Sequence, residues 1–422
     1  MSTNASSFFN YIAEAYNENK IVAACFLDLR KAFDMVDHDI LFLKLENIGI
    51  SNNSLAWLKS YLMNRKTFVS VNNTLSSNLC SLIRGVPQGS ILGPLLFLIF
   101  INDLPNSSLL STYLFADDTS ALAKGHNLQD VGLFMNRELQ HLGTWLRANK
   151  LAINTSKTKI IVFANNRDVG AFNFVFNNND INTPHNPNLI VPLERITKQS
   201  PNPAVKLLGV FFDEGLTFDT HINKLKNKIN SSLFAISSAK NLLSKSTLHK
   251  LYYSLIHSHF LYCLPVFSFT SCKNLNILVK KQKQCLRVIN KAHFNAHTNN
   301  LFFDCKILPL EDLIIYQKAI FMHAIAHNYS SVSYPCFALN SVVGDHRFNL
   351  RNDSDFFVPR ATFNIVSKMP LIDFPNTWNC LDQSIKDIPS LSHFKHCLKH
   401  ELLDKYANFT CDKTLCISCM RL

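Results

Sequence analysis

From Thr220 to Phe303 the chain has no aspartate and no glutamate, while twelve lysines and arginines fall in the same 84 residues. The rest of the chain holds 30 basic and 30 acidic residues, so the whole net charge of +12 comes from this one segment. A solvated helical surface mixes both signs. A purely basic stretch of this length points to a polyanion, with nucleic acid ahead of an anionic membrane. The blander reading is a helical core domain whose lysines keep it soluble.

Long apolar runs are also lacking. The longest, ILGPLLFLIFI at 91–101, is about half of what a membrane span needs. The first residues, MSTNASSFFNYIAEAYNENK, have no basic n-region and no apolar h-region, so no secretory leader is expected. Twelve cysteines in 422 residues, mostly scattered singly, do not make a disulfide scaffold and read as reduced. With 47% hydrophobic and 17% charged residues the chain can bury large cores, and its length predicts two or three units. A soluble, intracellular protein is the expectation.

Glycine divides the chain. Seven of the eleven glycines lie before residue 164, and after Gly215 only Gly344 remains. In the first region, IVAACFLDLRKAF (21–33) opens as a buried strand interrupted at Asp28. Asp37 is a plausible N-cap for a helix over 37–49 that Gly49 stops, and SLAWLKSYLMNR (54–65) predicts a second helix. STYLFADDTSALA (111–123) reads as a hairpin with Asp117 and Asp118 at its turn. A β-rich insertion spans about 164–204, where five of the fifteen prolines fall at 184–203, and the strand VKLLGVFFD follows it. Residues 220–300 place apolar side chains at helical spacing, as in STLHKLYYSLIHSHFLYCL, and SLSHFKHCLKHELLDKY (390–406) predicts a late helix.

A carboxylate inside an apolar strand costs several kcal/mol unless it is paired or metal-bound. Taken singly, an Asp pair at a turn is ordinary turn chemistry, and an isolated strand Asp more often caps or meets an arginine. Asp28, Asp117 and Asp118 together fit another arrangement: two Mg²⁺ ions about 4 Å apart, set for in-line phosphoryl transfer.

Five segments come in the order of the palm motifs of reverse transcriptases: FLDLRKAFDMVDH (26–38), RGVPQGSILGPLLFLIFINDL (84–104), YLFADDTSALA (113–123), NKLAINTSKTKIIVF (149–163) and VKLLGVFFD (205–213). The chain most resembles the enzymes of non-LTR (LINE-type, jockey-like) retrotransposons. The resemblance continues more loosely through LYYSLIHSHFLYCLPVF (251–267), HRFNLRN (346–352) and TWNCLDQSIKDIPSLSHFKHCL (377–398).

The resemblance implies an α+β fold: a right-hand polymerase palm, its antiparallel sheet backed by helices, over 1–215. A basic helical thumb over 216–305 and a mixed C-terminal region over 306–422 would follow. It implies that Asp28, Asp117 and Asp118 bind Mg²⁺, with the Leu29 carbonyl as a further ligand. Phe33 matches the aromatic gate that favours a dNTP over an NTP, while plain core packing is its other reading. Gln88 and Gly89 would line the nucleotide and template side, and Pro94 would start the next helix at N1. A structural turn is the other reading of that loop. Lys157 best matches the lysine proposed to protonate the leaving pyrophosphate, with Lys159 close enough to be confused with it. Tyr252, Tyr253 and His257, interleaved with lysines, would track an RNA–DNA duplex. RNA template, DNA primer and dNTP are the implied partners, and a nuclear location is implied by the family alone.

Two features depart from the family pattern. Only 27 residues precede Asp28, with Lys20 their one basic residue, so the fingers and the phosphate clamp are expected to be missing, as in an N-terminally truncated chain. The last residues, CDKTLCISCMRL, space Cys411, Cys416 and Cys419 as C-x4-C-x2-C; with His396 or His400 they could hold Zn²⁺, although a frayed terminus is the commoner meaning. The leading reading is an RNA-directed DNA polymerase. The rival from another class is a remnant that binds RNA or DNA without chemistry, and a maturase- or telomerase-like relative ranks below both.

Overall fold

A computed structural model describes residues 3–68, 70–71, 74–75, 80–165, 167–177, 190–327, 329, 337, 339 and 355–407. The strands in chain order are β1 (Ile21–Leu27), β2 (Lys66–Thr67), β3 (Ser70–Val71), β4 (Thr74–Leu75), β5 (Cys80–Ser81), β6 (Ser111–Phe115) and β7 (Asp118–Gly125). They continue with β8 (Lys159–Phe163), β9 (Val175–Asn177), β10 (Ile190–Pro192), β11 (Glu194–Ile196), β12 (Val205–Leu207) and β13 (Val210–Phe212). The helices begin with α1 (Thr3–Asn17), α2 (His38–Asn47), α3 (Asn52–Leu62), α4 (Leu92–Ile101), α5 (Leu128–Ala148), α6 (Asp219–Ala239) and α7 (Lys245–Tyr252). After them come α8 (Ser258–Leu261), α9 (Leu264–Phe267), α10 (Cys272–Ile289), α11 (Asn299–Asp304), α12 (Leu310–Ala326), α13 (Pro370–Asn379), α14 (Gln383–Lys386) and α15 (Leu391–Asp404). The chain divides into a sheet unit, residues 18–209 and 213–215, and a helical unit made of 1–17, 210–212 and 216–422. Residues 1–17 and 210–212, expected within the palm, therefore group with the helices.

In the sheet unit five strands are ordered β11-β8-β1-β7-β6. β1 is central and buried at all seven residues, which is why IVAACFL reads as a continuous apolar run. It pairs antiparallel with β7 (Ile21 opposite Gly125, Leu27 opposite Thr119) and with β8 (Val22 opposite Phe163). Only β11, added to the edge of β8, runs parallel. Behind β1 and β7 lies α5, whose buried Leu128, Val131, Met135, Leu139, Leu142 and Leu146 form one stripe at helical spacing. Gly132 on that stripe admits Phe172, since a Cβ there would lie 2.3 Å from the ring. After Phe172, β9 and β10 pair antiparallel, Val191 opposite Phe176.

Asp37 caps α2 as predicted, accepting from the Ile40 amide at 3.3 Å, and Gly49 ends the helix with φ +93. The buried Asp37 also takes the Lys150 ammonium at 2.6 Å. Burial alone would raise this carboxyl, but Lys150 and the Ile40 and Asp39 amides outweigh it and hold it below its ordinary value. A carboxyl lowered by folding contributes stability above its unfolded pKa, about 4, and that stability is lost as pH falls through the folded value. The melting temperature is expected to fall in that acid window. A Lys150→Met protein should start lower at neutral pH and show a flatter acid limb, which a melting series from neutral to strongly acid buffer would reveal.

Several local expectations change. The strand expected to open 21–33 and to be interrupted at Asp28 ends at Leu27, just before that residue; a left-handed Lys31 (φ 48) and a 3-10 turn at Ala32–Asp34 follow. VKLLGVFFD is not one strand, because Leu208 (φ 47) and Gly209 (φ 81) are both left-handed and separate β12 from β13. α4 begins at Leu92, which puts Pro94 at N3 rather than N1. It remains in the first turn, where the missing N–H costs no intrahelical bond.

In the helical unit the run expected as one helix at 246–264 is interrupted. A π-helical turn occupies Tyr253–His257, and Cys263 (φ 55) precedes α9, which carries Pro265 in its first turn. α6 lies along α10, and α12 packs on α13 and α15. Gln282 joins these layers from a fully buried position. Its amide donates to the Leu308 carbonyl at 2.9 Å and the Tyr252 hydroxyl at 3.2 Å, and its oxygen accepts from the Leu310 amide at 2.8 Å. Tyr252 is therefore a core residue with no exposed surface, which corrects its expected place on a nucleic-acid face. His257 stays neutral, its pKa pushed down to about 4 by burial and by Lys399.

Among the described residues no helix is long and apolar enough to cross a membrane, and the cysteines there are free. Cys411, Cys416 and Cys419 lie outside the described residues.

Candidate active site

The sheet unit brings Asp28, Asp117 and Asp118 to one end of its central strands. Asp28 follows the last residue of β1 instead of lying within it, so its half-exposed carboxylate escapes the desolvation cost expected of a strand interior. The backbone there continues a short pairing with the segment before β8. Arg30 donates to the Ala152 carbonyl at 2.8 Å, and Asn154 donates to the Asp28 carbonyl at 2.7 Å. Leu29 faces Ile153 between those bonds, so its own carbonyl is directed to the other side, toward β7.

Asp117 and Asp118 sit at the β6–β7 turn, with Phe115 opposite Asp118. Ala116 takes the first turn position with φ +52, a conformation that favours glycine. Partial burial of the Asp118 carboxyl raises its pKa, and the neighbouring Asp117 and Asp28 raise it further, against an opposing pull from Lys206. The three acids thus share one electrostatic field. Among the described residues no three His, Cys, Asp or Glu side chains converge closely enough to hold a metal ion.

One tight turn supports both Asp28 and a lysine. The Asp28 amide donates to Thr158 Oγ1 at 3.3 Å, and that hydroxyl donates to the Asn154 carbonyl at 3.0 Å. On the same turn Lys157 Nζ lies 4.0 Å from Asp28 Oδ2, and the side chain is 70% exposed. Lys159 is committed elsewhere, to Glu194 and the Ser156 carbonyl. The two lysines that spacing left confusable therefore have different partners, Asp28 for Lys157 and Glu194 for Lys159.

The glycine-rich loop is latched to the segment after Asp28. Val86 donates to the Phe33 carbonyl at 2.9 Å, Gly85 donates to the Val36 carbonyl at 2.7 Å, and Gln88 Nε2 donates to Asp34 Oδ1 at 2.9 Å. At Gly85 (φ +89) an added Cβ would meet the Asp34 backbone oxygen at 2.9 Å, so only glycine allows this approach. Gly89 (φ +77) faces open space beside the exposed Gln88. Phe33 is half-buried, stacked on the fully buried Phe97 with ring centroids 4.5 Å apart. One face of the ring is packed and the ring is not enclosed.

Asp34, Asn154, Thr158 and Lys206 were missed from sequence. Their only signal was position, each lying within a motif but not at the residue that carries its chemistry.

A mainly antiparallel sheet with acids at one end and helices behind it defines a class, the right-hand polymerase palm. Residues 3–212 match the family described as reverse transcriptase (RNA-dependent DNA polymerase). The chain carries a reverse transcriptase domain and is homologous to the RNA-directed DNA polymerases of non-LTR retrotransposons. It is 28% identical over 319 residues to the RNA-directed DNA polymerase from mobile element jockey of Drosophila funebris, covering 72% of this chain and 32% of that protein. Against the probable RNA-directed DNA polymerase from transposon X-element of Drosophila melanogaster it is 26% identical, again over 72% of this chain and 32% of the relative. The chain thus spans about a third of the length of the curated relatives it matches. A solved telomerase from Candida albicans, in complex with a fragment of telomeric RNA, covers 74% of this chain and 51% of its own at 13% identity. Its TM-score of 0.30 is too low to carry an argument.

Proposed function

We propose that this chain is an RNA-directed DNA polymerase, adding dNTPs to a primer 3′-OH under the direction of an RNA template. The observation that carries this reading is the placement of Asp28, Asp117 and Asp118 at one end of the sheet, where Asp117 and Asp28 both raise the pKa of Asp118. Crowded like charges at a strand end suit a divalent cation better than any structural role. Asp28 and Asp117 would hold two Mg²⁺ ions with Asp118 beside them, and the Leu29 carbonyl would serve as a further oxygen ligand. The ions would supply a more acidic 3′-OH and neutralise charge on the departing pyrophosphate. Asp28 and Asp117 are exposed enough for their carboxylates to rotate inward.

The chain's own groups would do the remaining work. The loop carrying Gln88 and Gly89 would lie against the template and nucleotide, held by Asp34. Phe33 would pack beneath the deoxyribose. Lys157, the ammonium nearest Asp28, would hold a proton for the leaving pyrophosphate.

The test is incorporation of labelled dNTP, with Mg²⁺ present, on an RNA template annealed to a DNA primer. Extension that follows the template sequence is expected. Binding of the same duplex with no extension would favour the rival, a chain that holds nucleic acid without chemistry.

A further inference from the structure

We propose that the groove between α6 and α10 binds single-stranded RNA, with bases stacking on Phe234 and Phe294. The groove has a volume of about 930 Å³, at the upper end of what a drug-sized ligand fills and roomy enough for a nucleobase with its sugar. Four cations line it: Lys240, Lys281, Arg287 and Lys291. None of them forms an ion pair with an acid among the described residues, and the segment that carries them contains no acid. The two phenylalanines at the groove are 75% and 72% exposed. Two exposed rings beside cations that lack acidic partners make a surface that suits a flat, anionic group.

Base faces and phosphates together meet that description. A duplex does not, because its bases are already stacked internally and it offers side chains only phosphates and groove edges. The groove also presents the amides of Asn230 and Asn241 and the Ser237 hydroxyl, groups that can both give and receive a hydrogen bond from a 2′-OH; the Gln284 oxygen already accepts from Lys281 at 3.0 Å. Phe294 stands on a loop that is held in place: Arg287 Nε donates to the Ala296 carbonyl at 2.9 Å, and the Ala296 amide donates to the His293 carbonyl at 2.9 Å. The stacking platform is therefore preformed. This site is separate from Tyr252, which the core has absorbed, and it does not depend on chemistry at the aspartates.

The test is fluorescence anisotropy of a labelled oligouridylate with the full chain, beside an oligodeoxyuridylate and an RNA–DNA duplex. Oligouridylate is expected to bind more tightly than oligodeoxyuridylate. Phe234→Ala and Phe294→Ala should each weaken oligouridylate binding about fivefold to a hundredfold and leave duplex binding nearly unchanged. Phe234→Tyr and Phe294→Tyr keep a ring and should restore it. Replacing Lys240, Lys281 and Lys291 by glutamine should lower the salt slope by about 2. Unchanged affinity in both alanine proteins would overturn the proposal, as would failure of the tyrosine proteins to recover. Equal affinity for the ribose and deoxyribose oligomers would overturn the assignment to RNA.

Discussion

Asp117→Asn is expected to lower dNTP incorporation about 10³-fold or more while duplex binding stays within twofold or so. The substitution keeps the size of the side chain and the hairpin turn, and removes one charge from a cluster built of charges. Asp117 lies at the exposed tip between β6 and β7, so the fold has little to lose. It would even lower the pKa of Asp118, by taking away a like-charged neighbour. Single-turnover extension and filter binding on the same preparation separate the two effects. A fall in both together would show that Asp117 holds structure or nucleic acid instead of chemistry.

Phe33→Ala is expected to relax sugar selection, raising the relative kcat/KM for a ribonucleotide about tenfold to a hundredfold. The ring is fixed from one side by its stack on Phe97 and by the Val86 amide on its own carbonyl, and so presents a rigid surface. A 2′-hydroxyl would meet that surface, and alanine would leave room for it. The substitution also removes packing against Phe97, so the protein will be less stable. The ratio of dNTP to NTP kinetics is unaffected by that loss and is the quantity to measure. An unchanged ratio would return Phe33 to the core.

The sheet was legible because its strands obey simple rules. IVAACFL has no polar residue, as a strand buried on both faces must, and the β6–β7 hairpin is marked by an acidic pair between β-prone runs. Asp37 and Gly49 announced the ends of α2 through capping chemistry alone. Other features depend on contacts far apart in sequence, which spacing does not encode. Asp28 lies past the end of β1, where Arg30 and Asn154 carry on a short pairing with the segment before β8, and Lys159 differs from Lys157 through Glu194, 35 residues away. Tyr252 looked like a surface aromatic until Gln282, on another helix, took its hydroxyl. The break at Leu208–Gly209 needs a left-handed leucine, which residue type does not predict.

Metal-directed cleavage tests, without relying on turnover, whether the three aspartates hold cations. Fe²⁺ put in place of Mg²⁺, with ascorbate and peroxide, cuts the backbone next to the ion. Cuts are expected beside Asp28 and beside Asp117–Asp118, suppressed by excess Mg²⁺ and lost in an Asp28→Asn, Asp117→Asn protein. Cuts at other places, or cuts that persist unchanged in that double variant, would contradict cation binding by the aspartates.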